Sequence, residues 1–384
     1  MTNIYLIRHA EAEGNLYRRA QGQYDANITQ LGRRQIAALA ERFRDIHIDA
    51  LWSSDLNRAA STATAILKYH PNLTLHTTPQ LREVCMGMWE DCPWGELERE
   101  HPEQMRFFAT DPGRWHVPGS EDYLAVPVRI EKALLELANA YPGKTIAVVS
   151  HGFAIRSLLC RLQNAPFQAI SYGDNTSVSL LTAANGRLAV EYYNDNSHLG
   201  GDLSTFAHQG VTKRTGAKKE DAWFQPLDLR TEEHVYSHCY SQTWLASHGN
   251  LTGYSPVLYL HAAQQHVKAD PRTLMKMYFQ DDFAGLIELD PDRGKEEGAG
   301  WISLIYVDPA FRGRRMGGQL LGHAVSYFRR QGRTVLRLHV SQTNETAVGF
   351  YEHCGFTHAG ETRGVGGPLY LMELDISQRR WTLP

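Results

Sequence analysis

No stretch of this 384-residue chain holds the ~18 consecutive apolar residues that a membrane-spanning helix needs, so no membrane partner is expected. Met1 runs straight into an apolar strand pattern without a basic and apolar leader, and the expected location is the cytoplasm. Charge of one sign is lacking too: 39 Lys and Arg stand against 42 Asp and Glu, a formal net charge of -3. Such a balance gives no field that draws the chain onto nucleic acid, and small anionic ligands suit it better. Cysteine is scarce. Cys85, Cys92, Cys160, Cys239 and Cys354 make no paired metal-binding spacing, and their odd number argues against a disulfide framework. Buried thiols and no metal are the expectation. Internal repeats and low-complexity tracts are missing as well, and nothing in the sequence marks an oligomeric state.

What is present is enough apolar residue, 42% against 21% charged, to fold the whole length, and a length that divides more naturally into two modules than one. In the first half, "NIYLIRH", "IDALWSS" and "KTIAVVSHG" read as strands, with helical spacing in "TQLGRRQIAALAERFRD" and "SEDYLAVPVRIEKALLELANAYPG" between them. That alternation predicts an α/β fold with a doubly wound, mostly parallel sheet. Around residues 201–221 the apolar periodicity fades into glycine, lysine and small polar residues, which reads as a linker. Beyond it, "TLMKMYF", "FAGLIEL" and "WISLIYV" read as strands of a second, mixed-sheet α/β module over 222–376.

In a parallel sheet, ligands bind beyond the carboxyl ends of the strands, where both His9 and His151 fall. A neutral imidazole attacks phosphorus well when its other nitrogen is held, and either histidine meets that description from the sequence. Phosphoryl transfer also asks for charge-assisted donors around the equatorial oxygens. Arg8 is adjacent to His9, and Arg58 in "SSDLNRAASTA" sits one turn into a helix that follows a strand. A leaving alkoxide needs a proton, for which Glu83 in the loop "LREVCMGMWE" is the candidate.

These residues resemble the histidine phosphatase superfamily, the phosphoglycerate mutase-like fold, across residues 1 to about 200. "LIRHAEAEGN" is similar to its Arg-His-Gly motif, with Ala10 in place of the glycine, and "ITQLGRRQ", "SSDLNRAASTA", "PGSE" and "VVSHG" follow in the family's order. The resemblance implies His9 as nucleophile, Arg8, Arg58 and His151 as phosphate ligands, Asn15 as a further oxygen contact and Glu83 as proton donor. It also implies catalysis without a metal. His198 in "NDNSHL" reads as structural. The stretch between Glu83 and Gly119 lacks the long insertion of the family's mutases, so hydrolysis of a phosphomonoester is expected, with mutase-type transfer as the alternative.

The second module offers "YVDPAFRGRRMGGQLLGHAV": a strand ending near Val307, a turn, then Arg312, Gly313, Arg314, Arg315, Gly317 and Gly318 at the start of an amphipathic helix. Amides at such a helix start, approached across glycines, suit a pyrophosphate, and Val307 with these loop residues are the cofactor-binding candidates. With "NETAVGFYEHCGF" downstream, this region resembles the GCN5-related N-acetyltransferase (GNAT) family over about 222–376, with Arg315 in the place of the first loop glycine. That resemblance implies acetyl-CoA as donor, an amine as acceptor, Tyr351 as the acid that protonates the departing thiolate, and Asn344 as a cofactor contact. Glu288 in "GLIELD" is a candidate for the base. The combined reading is a bifunctional phosphatase and acetyltransferase. The competing one is that either half senses a phosphoester or coenzyme A and regulates its neighbour. Because the two sets of candidate residues do not interleave, the sites are expected to be chemically independent.

Overall fold

The computed structural model describes residues 1–208 and 221–378, which form two α/β units. The first is built on six strands: β1 (Thr2–Arg8), β2 (Ala50–Ser54), β3 (Leu75–Thr78), β4 (Thr145–Ser150), β5 (Val178–Ala184) and β6 (Arg187–Asp195). Their order is β3-β2-β4-β1-β5-β6, with the first four parallel, β5 antiparallel to β1, and β6 antiparallel to β5. Along β4, Ile146 and Val148 pack into the core on one face of the sheet with Ile4 and Leu6. Ala147 and Val149 pack on the other with Ile7 and Leu51. Burial on both faces is why this strand is a continuous apolar run rather than an alternating one.

The helix Gln30–Phe43 starts where Thr29 accepts from the amide of Gly32 at 3.0 Å, and it turns Leu39, Ala40 and Phe43 inward as its spacing predicts. Its buried Gln35 ties the catalytic-side loop to the end of the unit. It accepts from the Glu11 amide and donates to the Leu203 carbonyl and the Thr205 hydroxyl, each at 2.8 Å. Residues 201–208, assigned by composition to the join, therefore belong to two short helices, Gly200–Leu203 and Thr205–His208, docked on the first unit. The rest of that join, residues 209–220, lies outside the described residues.

The second sheet holds β7 (Ala222–Pro226), β8 (Leu274–Phe279), β9 (Asp282–Asp290), β10 (Ala299–Val307), β11 (Val335–Ser341), β12 (Thr357–Gly364) and β13 (Gly367–Asp375). Their order is β12-β13-β11-β10-β9-β8-β7. Only β10 and β11 run parallel, and they pair only from Ala299–Val335 to Ile302–Leu338. Beyond Ile302–Leu338 the two strands no longer pair, and at the same point β10 carries a bulge against β9 at Ile302/Leu304. Helices Leu229–His248 and Pro256–Ala269 cover one face of this sheet. Helix Met316–Arg329 covers the other, beside the loop expected to bind pyrophosphate. No helix among the described residues is long and apolar enough to cross a membrane.

The two units share a packed seam beside a cavity of about 550 Å³ lined by residues of both, among them Asn27, Arg33, Gly355 and Asp375. Arg18 pairs with Asp221 at 2.7 Å, and Arg99 lies over the Trp223 ring at 3.5 Å. Helix Met316–Arg329 packs its flank directly on residues 16–19: a Cβ at Gly322 would come 2.6 Å from that of Tyr17, and one at Gly318 3.3 Å from the Leu16 carbonyl. Arg19, itself buried, bonds to Asp91 at 2.9 Å and to Ser326 at 3.1 Å, and Ser326 donates to Asp91 at 2.5 Å. Arg19 and Asp91 belong to the first unit and Ser326 to the second, so the polar contacts cross the seam in both directions.

Candidate active sites

Strands β1 and β4 pair in register at Arg8 and Ser150, so the residues that follow, His9 and His151, leave the sheet side by side. Their ring centroids are 5.2 Å apart and both rings are buried. The His9 Nδ1 proton is donated to the Ala10 carbonyl at 2.7 Å, which selects the tautomer with its lone pair on Nε2. Burial, then Arg58 and Arg8, hold the pKa of His9 well below the ordinary imidazole value, so the ring is neutral. Burial and Arg58 do the same to His151.

Carbonyl groups grip the two arginines from behind. Arg58 donates to Tyr24 and Gly22 at 2.8 and 2.6 Å, and Arg8 donates to Gly173 at 2.5 Å. What remains is informative: Arg8 Nε, Arg58 Nε and both ring nitrogens of His151 are buried without a hydrogen-bond partner in the protein. Native structures rarely leave such groups orphaned, and four of them beside a neutral histidine make a cradle for a small anion.

Glu83 stands at the start of helix Gly152–Leu162, accepting from the amides of Phe153 and Ala154 at 3.0 and 2.8 Å and from Val84 at 3.1 Å. Burial raises its pKa, opposed by those amides and Arg58, and the balance lies above the ordinary carboxyl value. Asn15 caps its own four-residue helix, accepting from the Ala12 amide at 3.1 Å. Asn15 thus lies in the loop that follows His9, between the nucleophile and Gly22 and Tyr24 in sequence, and its Oδ1 also faces Gln21 at 3.4 Å. His198 joins Arg42 to Thr176, each at 3.2 Å, the structural role read from the sequence.

Several supporting residues carry no signal in the sequence. Asn175 donates to the His9 carbonyl at 2.9 Å, and Arg129, paired with Glu121 at 2.6 Å, donates to the Glu83 carbonyl at 3.0 Å. Phe206 sets its ring 5.9 Å from the Arg8 guanidinium. These contacts are long-range or made through backbone atoms, so no local motif announces them.

In the second unit, Arg315 precedes helix Met316–Arg329 with φ +61°, and Gly313 lies at φ +73°. The left-handed backbone at 315 is the physical reason a glycine suits that position, and Arg315 adopts it against its own preference. The first amides of the helix have no partner within it. The other loop candidates divide in role. Arg312 turns back to the Val307 carbonyl at 3.1 Å, and Arg314 lies over the rings of Phe279 and Phe311. Gly317 leaves room for Phe350, whose ring would meet a Cβ at 2.7 Å. Gly318 faces the first unit, where a Cβ would stand 3.3 Å from the Leu16 carbonyl oxygen, a tight contact.

Asn344 caps helix Glu345–His353, accepting from Ala347 at 3.2 Å and donating to Ser247 at 3.4 Å, so the side chain assigned to the cofactor is engaged within the protein. The asparagine serves here as a helix N-cap. Tyr351, on the same helix, packs between Phe350 and Phe356, and burial holds its phenol well above the ordinary value, hence protonated. Glu288 is no free base. It accepts from the Tyr236 hydroxyl at 3.0 Å and pairs with His266 at 2.9 Å, while His266 also faces Asp290 at 3.6 Å. Burial alone would lower the pKa of His266, but its bonds to Asp290 and Glu288 raise it to about 9, so the ring is a cation clamped between carboxylates.

Residues 4–196 match the family model of the histidine phosphatase superfamily, branch 1, and residues 232–356 that of the acetyltransferase (GNAT) family. The chain belongs to the histidine phosphatase superfamily and carries a GNAT acetyltransferase domain after its phosphatase domain. Among curated relatives, phosphoserine phosphatase 1 of Hydrogenobacter thermophilus is 30% identical over 213 residues, 55% of this chain and 100% of that protein. A probable phosphoglycerate mutase, GpmB of Yersinia pestis, is 34% identical over 169 residues, 44% of this chain and 78% of that protein. Among solved structures, Bacillus stearothermophilus YhfR superposes with a TM-score of 0.50 at 26% identity, covering 52% of this chain and 99% of its own.

Proposed function

We propose that the chain is a bifunctional enzyme that hydrolyses a phosphomonoester through a phosphohistidine on His9 and transfers an acetyl group from acetyl-CoA to an amine. The observation that carries the first activity is the cradle of unpartnered donors around a neutral, oriented His9. In this reading Nε2 of His9 attacks phosphorus, and the phosphorus–oxygen bond to the alcohol breaks with its electrons on oxygen. Glu83 protonates that oxygen. Water then attacks the phosphohistidine, its proton passes to the Glu83 carboxylate, the phosphorus–nitrogen bond breaks, and His9 returns neutral beside free phosphate. Arg8 and Arg58 supply the charge stabilisation, the neutral His151 adds a hydrogen bond, and the activity is proposed as metal-independent.

Phosphoserine is the first substrate to try, because the Hydrogenobacter relative is named a phosphoserine phosphatase. Rapid quenching with a labelled phosphomonoester should trap the label on His9, and His9→Ala should lose both label and turnover; label on another residue overturns the assignment. The name of the Yersinia relative favours a second reading, phosphoglycerate mutase-type transfer. Interconversion of 2- and 3-phosphoglycerate faster than phosphate release would establish that reading instead.

For the second half, the first amides of helix Met316–Arg329, the turn at Gly313 and the end of the β10–β11 pairing at Ile302–Leu338 fit a pyrophosphate-bearing cosubstrate. Acetyl-CoA would supply the thioester acyl group. Tyr351, protonated and half-buried, would hold the proton for a departing sulfur. Calorimetry with acetyl-CoA tests the site, and absence of binding at millimolar concentration rejects it.

A further inference from the structure

We propose that Arg329, a residue of the acetyltransferase half, is a positioning residue for the phosphate pocket of the other half; this rests on the phosphatase reading above. The segment from His9 to Asn27 is a single loop closed at its base by Glu13 and Asn27. The Glu13 amide donates to the Asn27 carbonyl at 3.0 Å, and the Asn27 amide donates to the Glu13 carboxylate at 3.0 Å. Within that loop lie Asn15 and the carbonyls of Gly22 and Tyr24, which hold both terminal nitrogens of Arg58. How the loop is held therefore decides where Arg58 presents its remaining nitrogen, Nε, to the anion.

The carboxylate at the base of the loop is buried, and its only ion pair among the described residues comes from across the seam. Arg329 donates to Glu13 with Nη1 and Nη2, both at 2.8 Å, in a two-pronged pair whose side chains are 7% and 10% exposed. Nη1 also reaches the Tyr24 hydroxyl at 3.5 Å, and Nε donates to the Ile376 carbonyl at 2.6 Å. One guanidinium thus touches two residues of the loop while anchored to the last strand region of the acetyltransferase. Gly318 and Gly322 on the same helix bring its backbone against Leu16 and Tyr17, so the helix forms the wall on which the loop rests. A buried carboxylate left without its cation would be strongly unfavourable, and the loop would open to hydrate it. The expected independence of the two halves does not hold for this pair: a residue 316 positions away in sequence from Glu13 completes the support of Arg58.

The test uses the full chain with p-nitrophenyl phosphate as substrate and inorganic phosphate as competitive inhibitor. Arg329→Met should raise KM and the phosphate inhibition constant together by about tenfold or more, with kcat reduced less, while Arg329→Lys recovers part of the loss. The double variant Glu13→Gln, Arg329→Met leaves no unpaired charge, so it should fold even where the single variant does not, and it too should bind phosphate weakly. A fall in apparent kcat with KM and phosphate inhibition unchanged means that only folded fraction was lost, and overturns the proposal. So does a folded single or double variant whose KM stays within twofold of the parent. If the parent protein itself hydrolyses no phosphomonoester, the underlying phosphatase reading fails, a result distinct from either.

Discussion

The carboxylate of Glu83 rests on the backbone amide of Phe153, 3.0 Å away at the first turn of the helix that His151 precedes. That position gives one side chain two opposed influences. Burial favours its neutral form, and the helix amides favour its anion, which suits a group that must give up a proton and take one back within a turnover.

From this follows a prediction on Glu83→Gln. It should lower kcat by roughly 10²–10³ for alkyl phosphates, whose leaving oxygen needs the proton, and far less for p-nitrophenyl phosphate, whose leaving group does not. The raised pKa means that the acidic form persists to higher pH than in an ordinary glutamate, so the alkaline limb of the kcat profile should belong to this group and vanish in the variant. Equal losses on both substrates would remove Glu83 from protonation of the leaving oxygen.

Since charge in the pocket comes from Arg8 and Arg58, with the neutral ring of His151 as a further polar contact, hydrolysis should survive EDTA unchanged and be competitively inhibited by vanadate. Loss of activity on chelation, restored by magnesium, would contradict this.

Tyr351 packs against Phe350 and Phe356 with a protonated phenol, so Tyr351→Phe keeps the packing and removes only the proton. Acetyl transfer should fall about 10–100-fold while the dissociation constant for acetyl-CoA moves less than threefold. Collapse of acetyl-CoA affinity would make the residue a binding or folding element instead.

The clamp of His266 between Glu288 and Asp290 predicts a pH-dependent stability. Its folded pKa, about 9, lies above the unfolded value of ~6.5. The stabilisation is therefore complete below about pH 6.5 and is lost as pH rises through 9. Comparing wild type with His266→Gln by denaturant unfolding between pH 6.5 and 9.5, the gap should narrow by about 2–3 kcal/mol, counted once for the shared ion-pair network. A gap that stays constant over that range would show the ring to be neutral throughout.

How far the sequence reveals this molecule depends on the range of each contact. Strand β4 is legible because burial on both faces writes itself as an unbroken apolar run. His9, Arg8, Arg58 and His151 are legible because strand ends place them, and their neighbours in sequence are their neighbours in space. Asn175, 166 positions from His9, works through a backbone carbonyl and leaves no pattern. Strand β12 is almost wholly exposed, so no apolar period marks it. Glu288 illustrates the opposite failure: its place on a strand was readable, but the tyrosine and histidine that occupy it come from two helices earlier in the chain.

The close approach of Gly322 to Tyr17 has a bearing on how such a fusion is maintained. A helix whose flank admits no side chain toward its neighbour has surrendered its freedom to drift, and the loop that lies on it has done the same. The two must change in concert or not at all. Grafting this acetyltransferase onto another phosphatase, or the reverse, would therefore require moving residues 13–27 and helix Met316–Arg329 as one inherited piece, although they lie near opposite ends of the chain.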